Sequence, residues 1–369
     1  MKYISKVLGW LLLGVNILCA LTMLFCAYSP YLNPIKHPIL SCSGLAFPIM
    51  LAINILFLLF WLIIYRRYAL LSSIAMLCCI QAIWTCCPLN FFQKEAPEGS
   101  IKFLSYNVMA FNMDKPHTKE NPNEIIEYLQ QSDADIICLQ EYITGANLKK
   151  KEIDRALSAY PYKHFYKIAN GINGLGCYSR YPILSATPVD YQSKANGSMV
   201  YVLKVKDDTL TVINNHLESN KLTLDDRTTY MEMIKEPEAD KVKEGSKRLI
   251  SKLADAVPIR AAQADTIARI IRNRTTPSII VCGDFNTSPF SYAHRIIANG
   301  LHDAFTQSGC GFGVSYNKNG FYFRIDHILI SPDLRSYQCT VDKSIKHSDH
   351  YPICLLYTSP SPRDPKTSR

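Results

Sequence analysis

Residues 277–289 read PSIIVCGDFNTSP. The run Ile279, Ile280, Val281, Cys282 has the β-branched, apolar character of a buried strand, and it passes through Gly283 straight into Asp284-Phe285-Asn286. Strand side chains alternate, so Asp284 and Asn286 are expected on one side and Phe285 on the other, in the core. A carboxylate beside an amide can hold a water molecule and the group that the water attacks. The competing explanation is an Asp/Asn-rich turn after a core strand. Other segments decide between the two.

The same design recurs along the chain. Residues 101–107 (IKFLSYN) alternate apolar and polar and end on Asn107, and residues 135–141 (DIICLQE) form a buried strand that ends in Glu141. Residues 199–205 and 209–216 read as a hairpin across 206–208 whose second arm ends in His216. Residues 322–331 (YFRIDHILIS) read as one strand carrying Asp326 and His327, and 347–355 (HSDHYPICL) as a loop with Asp349-His350 leading into a closing strand. Each residue alone has an ordinary explanation. Five strands each delivering a carboxylate, amide or imidazole at their end do not. His327 should face away from Asp326 and is read as structural. Arg324, two residues before Asp326, is expected on the same face, and within 171–183 a Gly-rich loop leads into a strand and then Arg180. Both are candidate contacts for a substrate phosphate.

Helical patterns separate these strands. Residues 123–131 are amphipathic, 219–274 are charged and helical with Pro237 and Pro258 as breaks, and 259–272 lead into the strand at 277. Many strands with interspersed helices argue for α/β sheets packed together and covered by helices. The thirteen cysteines include no CxxC pair, and Cys138 and Cys282 sit in apolar runs as small hydrophobes, so neither zinc nor a disulfide framework is indicated.

Residues 7–28, 45–65 and 68–89 carry no charge, and each can cross about 30 Å of hydrocarbon as a helix. Residues 1–92 therefore read as a three-span membrane anchor, 93–100 as a linker, 101–356 as a globular domain, and 357–369 (YTSPSPRDPKTSR) as a disordered tail, native or not, set aside from function. Lys2, Lys6, Arg66 and Arg67 flank one side of the spans, whereas the 29–44 loop holds only Lys36. The N-terminus is thus expected in the cytoplasm, with the domain periplasmic or extracellular. Six Lys/Arg against two Glu in residues 1–99 account for +4 of the net +9. The domain itself is nearly balanced and lacks the basic excess of a sequence-independent DNA binder.

The motifs YN, LQE, NNHL, GDFN, RIDHILIS and SDHYPI, in that order across 101–355, resemble the endonuclease/exonuclease/phosphatase family of pancreatic deoxyribonuclease, abasic-site endonucleases, bacterial sphingomyelinases and inositol-polyphosphate phosphatases. Three spans ahead of such a domain resemble a membrane-anchored bacterial branch of it. The resemblance implies a four-layer α-β-β-α sandwich with the site at one rim. It implies Glu141 as the main Mg²⁺ ligand, Asn107 beside it and Asp349 near the metal, a set of hard oxygens suited to Mg²⁺ or Mn²⁺. Asp284 would deprotonate the attacking water and Asn286 would position it or the phosphate. His350, its ring held by Asp326, and His216 would contact the phosphoryl oxygens. His216 within NNHL matches the deoxyribonuclease and sphingomyelinase branches rather than the abasic-site enzymes.

The reading is a membrane-anchored, metal-dependent phosphodiesterase acting on nucleic acid or a lipid headgroup, endonuclease-like in chemistry. A sphingomyelinase-like or phospholipase C-like enzyme and a phosphomonoesterase are the alternatives, and a catalytically silent binding module is a third class. No protein partner is evident.

Overall fold

The computed structural model describes residues 2–358 except 169, 170, 172, 192 and 319. Of the tail expected at 357–369, Tyr357 and Thr358 are not disordered but end the strand Ile353–Thr358, with Tyr357 buried and paired with Ile101, and 359–369 lie outside the described residues. Among the described residues, fourteen strands are arranged in two six-stranded sheets and a hairpin. The first sheet is built from β1 (Ile101–Asn107), β2 (Ile136–Gln140), β3 (Tyr162–Ile168), β4 (Asn173–Ser179), β13 (Arg335–Val341) and β14 (Ile353–Thr358). Its order is β13-β14-β1-β2-β4-β3. The second contains β5 (Ile183–Pro188), β6 (Gly197–Val205), β7 (Asp208–His216), β8 (Ser278–Asp284), β9 (His302–Asp303) and β12 (Asp326–Ile330), in the order β5-β6-β7-β8-β12-β9. The hairpin pairs β10 (Tyr316–Lys318) with β11 (Phe321–Phe323).

Alternation along the strands divides the apolar residues among three layers of core. Phe103, Ile136, Cys138, Tyr201, Val212, Ile280, Cys282 and Ile328 are buried between the two sheets. On the outer face of the first sheet, Leu104, Tyr106, Ile137 and Leu139 meet Ile125, Ile126 and Leu129 of the helix Glu124–Gln131. Asn123 caps that helix, its side chain accepting from the Ile125 and Ile126 N–H groups. On the outer face of the second, Ile213, Ile279, Val281 and Leu329 meet Ala264, Ile267 and Ile271, spaced for one face of the helix Ala239–Arg272. Each fully buried apolar side chain of this kind contributes roughly 1.5–3 kcal/mol. The result is the expected four-layer α-β-β-α sandwich.

Two local expectations need correction. Pro258 lies inside the continuous 34-residue helix Ala239–Arg272 rather than breaking it, and only Pro237 separates that helix from Leu224–Lys235. Residues 322–331 are not one strand: the chain leaves the β10–β11 hairpin after Phe323 and enters the second sheet at Asp326. The strand expected within the Gly-rich stretch is β4, entirely buried between β2 and β3.

The N-terminal region holds two stretches long and apolar enough to cross a membrane, Val7–Tyr31 and Pro38–Ile64. The third expected span is broken: helices Arg66–Cys78 and Ile80–Cys86 meet at 70° and reach membrane length only as a pair. At the break Cys79 N–H bonds to Met76 O, a tightened turn that ends the first helix. Phe47–Ile64 runs against the first helix and Arg66–Cys78 runs with it, around a buried polar knot in which Asn16 Nδ2 donates to Ser72 Oγ at 3.0 Å and Trp61 Nε1 donates to Asn16 Oδ1 at 2.9 Å. At one end Trp10 packs against Tyr68 and Gly9 lies beside Tyr65. At the other end the bundle touches the sandwich. Phe47 packs on Phe290 with ring centroids 4.8 Å apart, Arg295 Nε donates to Pro30 O, and Arg324 Nη2 donates to Thr85 O.

Candidate active site

Both sheets place parallel pairs side by side, β1 with β2 and β7 with β8, and the C-terminal ends of these strands share one rim. Register pairs His216 with Asp284, and Asp284 with Asp326. The rim thus gathers Asn107, Glu141, His216, Asp284 and Asp326 from five strand ends. Gly283 makes this approach possible: at φ +120° it takes a conformation that L side chains rarely adopt, and a Cβ there would lie 2.0 Å from Asn215 O.

Asp284 is the centre. Its Oδ2 accepts from Asn107 Nδ2 at 3.1 Å and lies 3.7 Å from His216 Nε2 and 3.6 Å from His350 Nε2. Its Oδ1 accepts the Asn286 N–H at 2.8 Å. Burial and the neighbouring Asp326 raise its pKa to about 6 against the lowering effect of the two imidazoles.

Each imidazole is fixed from behind. Asn173 Oδ1 accepts from the Gly174 N–H, which turns the amide so that its Nδ2 donates to His216 Nδ1 at 3.0 Å. The His216 proton then sits on Nε2, facing the carboxylates. Burial lowers the pKa of His216, opposed by Asp284. His350 Nδ1 meets Asp326 Oδ2 at 2.7 Å, and that carboxylate also accepts from Ser315 Oγ at 2.7 Å. Burial opposes the charge on His350, but Asp326 and Asp284 outweigh it and hold its pKa up to about 10. One imidazole is neutral and the other cationic. Both direct an Nε2–H at the same carboxylate.

Glu141 stands beside them, its Oε1 accepting from Asn107 Nδ2 at 3.2 Å and lying 3.8 Å from His216 Nε2. Its backbone is left-handed at φ +51°, as is that of Asn286 at φ +52°. Such non-glycine conformations cost on the order of 1–3 kcal/mol each and cluster where surrounding structure imposes them. Strand alternation therefore does not reach Asn286, whose Nδ2 donates to Leu217 O at 3.0 Å, while Phe285 is buried in the outer core as expected. Asn107 presents its N–H₂ to Glu141 and Asp284, and its Oδ1 accepts from Met109 N–H. The amide nitrogen, not the oxygen, faces the carboxylates. Asp349 lines the same cavity.

The two expected phosphate-contacting arginines are elsewhere. Arg180 pairs with Asp133 at 2.5 Å and Asp135 at 3.2 Å at the surface end of β4. Arg324 is buried, bonded to Thr85 O and 3.6 Å from Asp303 Oδ2, because the chain changes sheets between Phe323 and Asp326 and period-two alternation does not carry across that break. His327 is buried away from the site, as expected, with Nε2 at 3.0 Å from Thr287 O. The cations that do line the cavity are Lys221, Arg227 and Arg260, with Tyr316 packed edge-on against His350 at 5.0 Å. They lie on the helices and loops of the least patterned part of the sequence. Only their position in three dimensions marks them.

Residues 104–350 match the model of the Endonuclease/Exonuclease/phosphatase family, and residues 9–86 match a separate model described as a domain of unknown function. Among curated proteins the chain is 25% identical to Protein angel homolog 2 of Bos taurus over 239 residues, 56% of this chain and 38% of that protein. It is 24% identical to the Danio rerio homolog over 193 residues, 48% and 29% respectively. The chain thus spans well under half the length of these relatives. Among solved structures it is similar to the endonuclease/exonuclease/phosphatase from Bacteroides vulgatus, with TM-score 0.51 and 14% identity over 71% of this chain and all of that one. It is likewise similar to D. rerio TDP2 complexed with single strand DNA product, with TM-score 0.50 and 14% identity over the same shares. At these identities the likeness to solved structures concerns the fold. The family-model match covers two thirds of the sequence and includes every strand end of the rim: the chain belongs to the endonuclease/exonuclease/phosphatase family, hydrolases of phosphoester bonds.

Proposed function

We propose that the protein is a membrane-anchored, divalent-cation-dependent phosphodiesterase that hydrolyses its substrate by direct attack of water. The observation that carries this reading is the convergence of two Nε2 atoms, from His216 and His350, on Asp284 Oδ2 at 3.7 and 3.6 Å. A base between two imidazole donors suits a water molecule next to a phosphoryl group.

The residues fit a hard cation. Glu141 and Asp284 are both pushed toward protonation by burial and by neighbouring carboxylates, a repulsion that a divalent ion would relieve. Glu141 and Asp349 would hold Mg²⁺ or Mn²⁺, whose charge would offset that developing on the phosphoryl oxygens. Asn107 would join them only with its amide turned over.

The remaining work belongs to the chain. A water seated on Asp284 gives that carboxylate a proton as its oxygen bonds to phosphorus, the bond to the leaving oxygen breaks on the opposite side, and solvent protonates the leaving group. His216 and His350 donate Nε2–H to the non-bridging oxygens. Asp326 keeps the His350 ring oriented and charged, and Asn286 holds the loop behind Asp284.

The contacts between bundle and sandwich support three crossings. The sandwich touches residues 30–47 and 85–90, which both lie at the end of the bundle opposite Tyr65 and Tyr68. On this reading the bent pair Arg66–Cys78 and Ile80–Cys86 crosses as one span, with the Arg66-Arg67 turn in the cytoplasm and the catalytic domain outside it. A specific protease site inserted at 96–99 should be cut only from the non-cytoplasmic side of sealed vesicles.

The decisive experiment follows hydrolysis of bis(4-nitrophenyl) phosphate by the full chain with Mg²⁺, Mn²⁺ or chelator, beside Asp284→Asn and His350→Ala. Metal-dependent turnover abolished in both variants is expected. Cleavage of the monoester alone would replace this reading with a phosphomonoesterase, and no turnover of either would remove it.

A further inference from the structure

The catalytic rim is one end of a cavity of about 380 Å³ whose other end is apolar. Leu249, Leu253 and Val257 recur every four residues along the helix Ala239–Arg272 and turn one stripe toward the cavity. Facing them are Phe290, Phe321 and Leu45. A stripe of this spacing on a domain surface normally meets a packing partner. Here it borders open volume.

Leu45 lies near the start of the second apolar stretch, Pro38–Ile64, and its neighbours Ser41 and Cys42 line the same cavity. The anchor is therefore part of the wall of the site. Its fit is close: a Cβ on Gly44 would stand 2.1 Å from Phe290 O, within the strand-to-helix connection that follows Asp284. Arg260 lies one turn beyond Val257, buried, with Nη1 donating to Glu218 O at 2.8 Å, and it marks the boundary between the apolar and catalytic halves.

Resting on the hydrolase reading above, we propose that the apolar half holds the hydrocarbon chain of a membrane amphiphile whose phosphoester reaches Asp284 and His350, so that the substrate class is a bilayer lipid. Three features select this occupant. The cavity runs without interruption from the catalytic groups to the start of the second membrane-length stretch. Its far walls are aliphatic and aromatic, where water is poorly satisfied and hydrocarbon is not. The near-balanced charge of the domain offers a polyanion no basic track.

The test uses the full chain in nanodiscs and measures binding of ethyl, butyl, hexyl and octyl phosphonate with Mg²⁺ present, by calorimetry. Affinity should rise roughly three- to fourfold per methylene until the cavity is filled. Leu253→Trp, which fills the volume and stays apolar, should flatten that rise, and Leu253→Asp should do the same where it folds. A gain that Leu253→Trp leaves intact would be partition into the bilayer and would overturn the proposal. So would affinity independent of chain length, or displacement of hexyl phosphonate by a single-stranded oligonucleotide. Chain-length-dependent binding without turnover of the aryl diester would remove the hydrolase reading and keep the lipid site. Turnover without chain-length dependence would do the reverse.

Discussion

Asp326 Oδ2 meets His350 Nδ1 at 2.7 Å, while the other nitrogen of the same ring lies 3.6 Å from Asp284 Oδ2. A carboxylate on each side of one imidazole gives the two acids separate tasks: Asp326 is spent on the ring and on Ser315, and Asp284 keeps an oxygen for the water. His350→Ala should lower kcat by about 10²- to 10⁴-fold, and Asp326→Asn by at least about tenfold. Because Asp326 acts through the ring, adding Asp326→Asn to His350→Ala should cost almost nothing more. Additive losses in the double-mutant cycle would mean that Asp326 serves something other than His350.

Glu141 carries the expected response to metal. Replacing it by Gln keeps the shape and the acceptor for Asn107 Nδ2 but removes the charge. The Mg²⁺ concentration for half-maximal activity should rise by about 10- to 100-fold, with activity returning at saturating metal. Chelator should abolish activity in the wild type. A Glu141→Gln enzyme with an unchanged metal requirement would move the cation site elsewhere on the rim.

How much of this was legible in the sequence depends on where each residue sits. Asn107, Glu141, His216 and Asp284 end strands whose apolar runs announce themselves, so their common rim could be read from local pattern alone. Arg227, Arg260 and Tyr316 reach the cavity, and Asn173 reaches His216, from segments whose local pattern says nothing about the site, and only the folded chain brings them there. Arg324 shows the opposite error. Alternation was extended across residues 322–331 as one strand, yet the chain passes from hairpin to sheet between Phe323 and Asp326. The bend at Cys79 was invisible for a related reason, since composition reports apolar length and not whether a helix stays straight.

Arg324 has a role in stability instead. Its guanidinium faces Asp303, whose Oδ1 caps the following helix by accepting from the Phe305 and Thr306 N–H groups. Burial alone would raise the Asp303 pKa, but Arg324 and His294 hold it well below the usual carboxylate range. A depressed folded-state pKa contributes stability that is complete above the unfolded value and is lost as pH falls toward the folded one. Thermal stability should therefore drop as pH falls below about 4. Asp303→Ala should cost about 3–5 kcal/mol at neutral pH, because it leaves Arg324 buried without its carboxylate, and should flatten the acid limb. An acid limb unchanged in that variant would assign it to other carboxylates.

Gly44 tests whether anchor and catalytic domain form one body. Its Cβ position is occupied by Phe290 O at 2.1 Å and Ser29 Oγ at 2.8 Å, so Gly44→Val must move the 29–46 segment off the sandwich. The other joints, among them Arg295 on Pro30 O, Arg324 on Thr85 O, Gly311 N–H on Pro88 O and Asn90 on the carbonyls of Thr306 and Gly309, would have to hold without it. With a protease site placed at 96–99, the cut wild type should stay associated in mild detergent, because buried contact between Phe47 and Phe290 persists after the linker is gone. The cut Gly44→Val protein should separate on gel filtration. Wild-type fragments that part as readily as the variant's would mean that the linker alone holds the domain at the membrane, and the shared cavity wall would lose its basis.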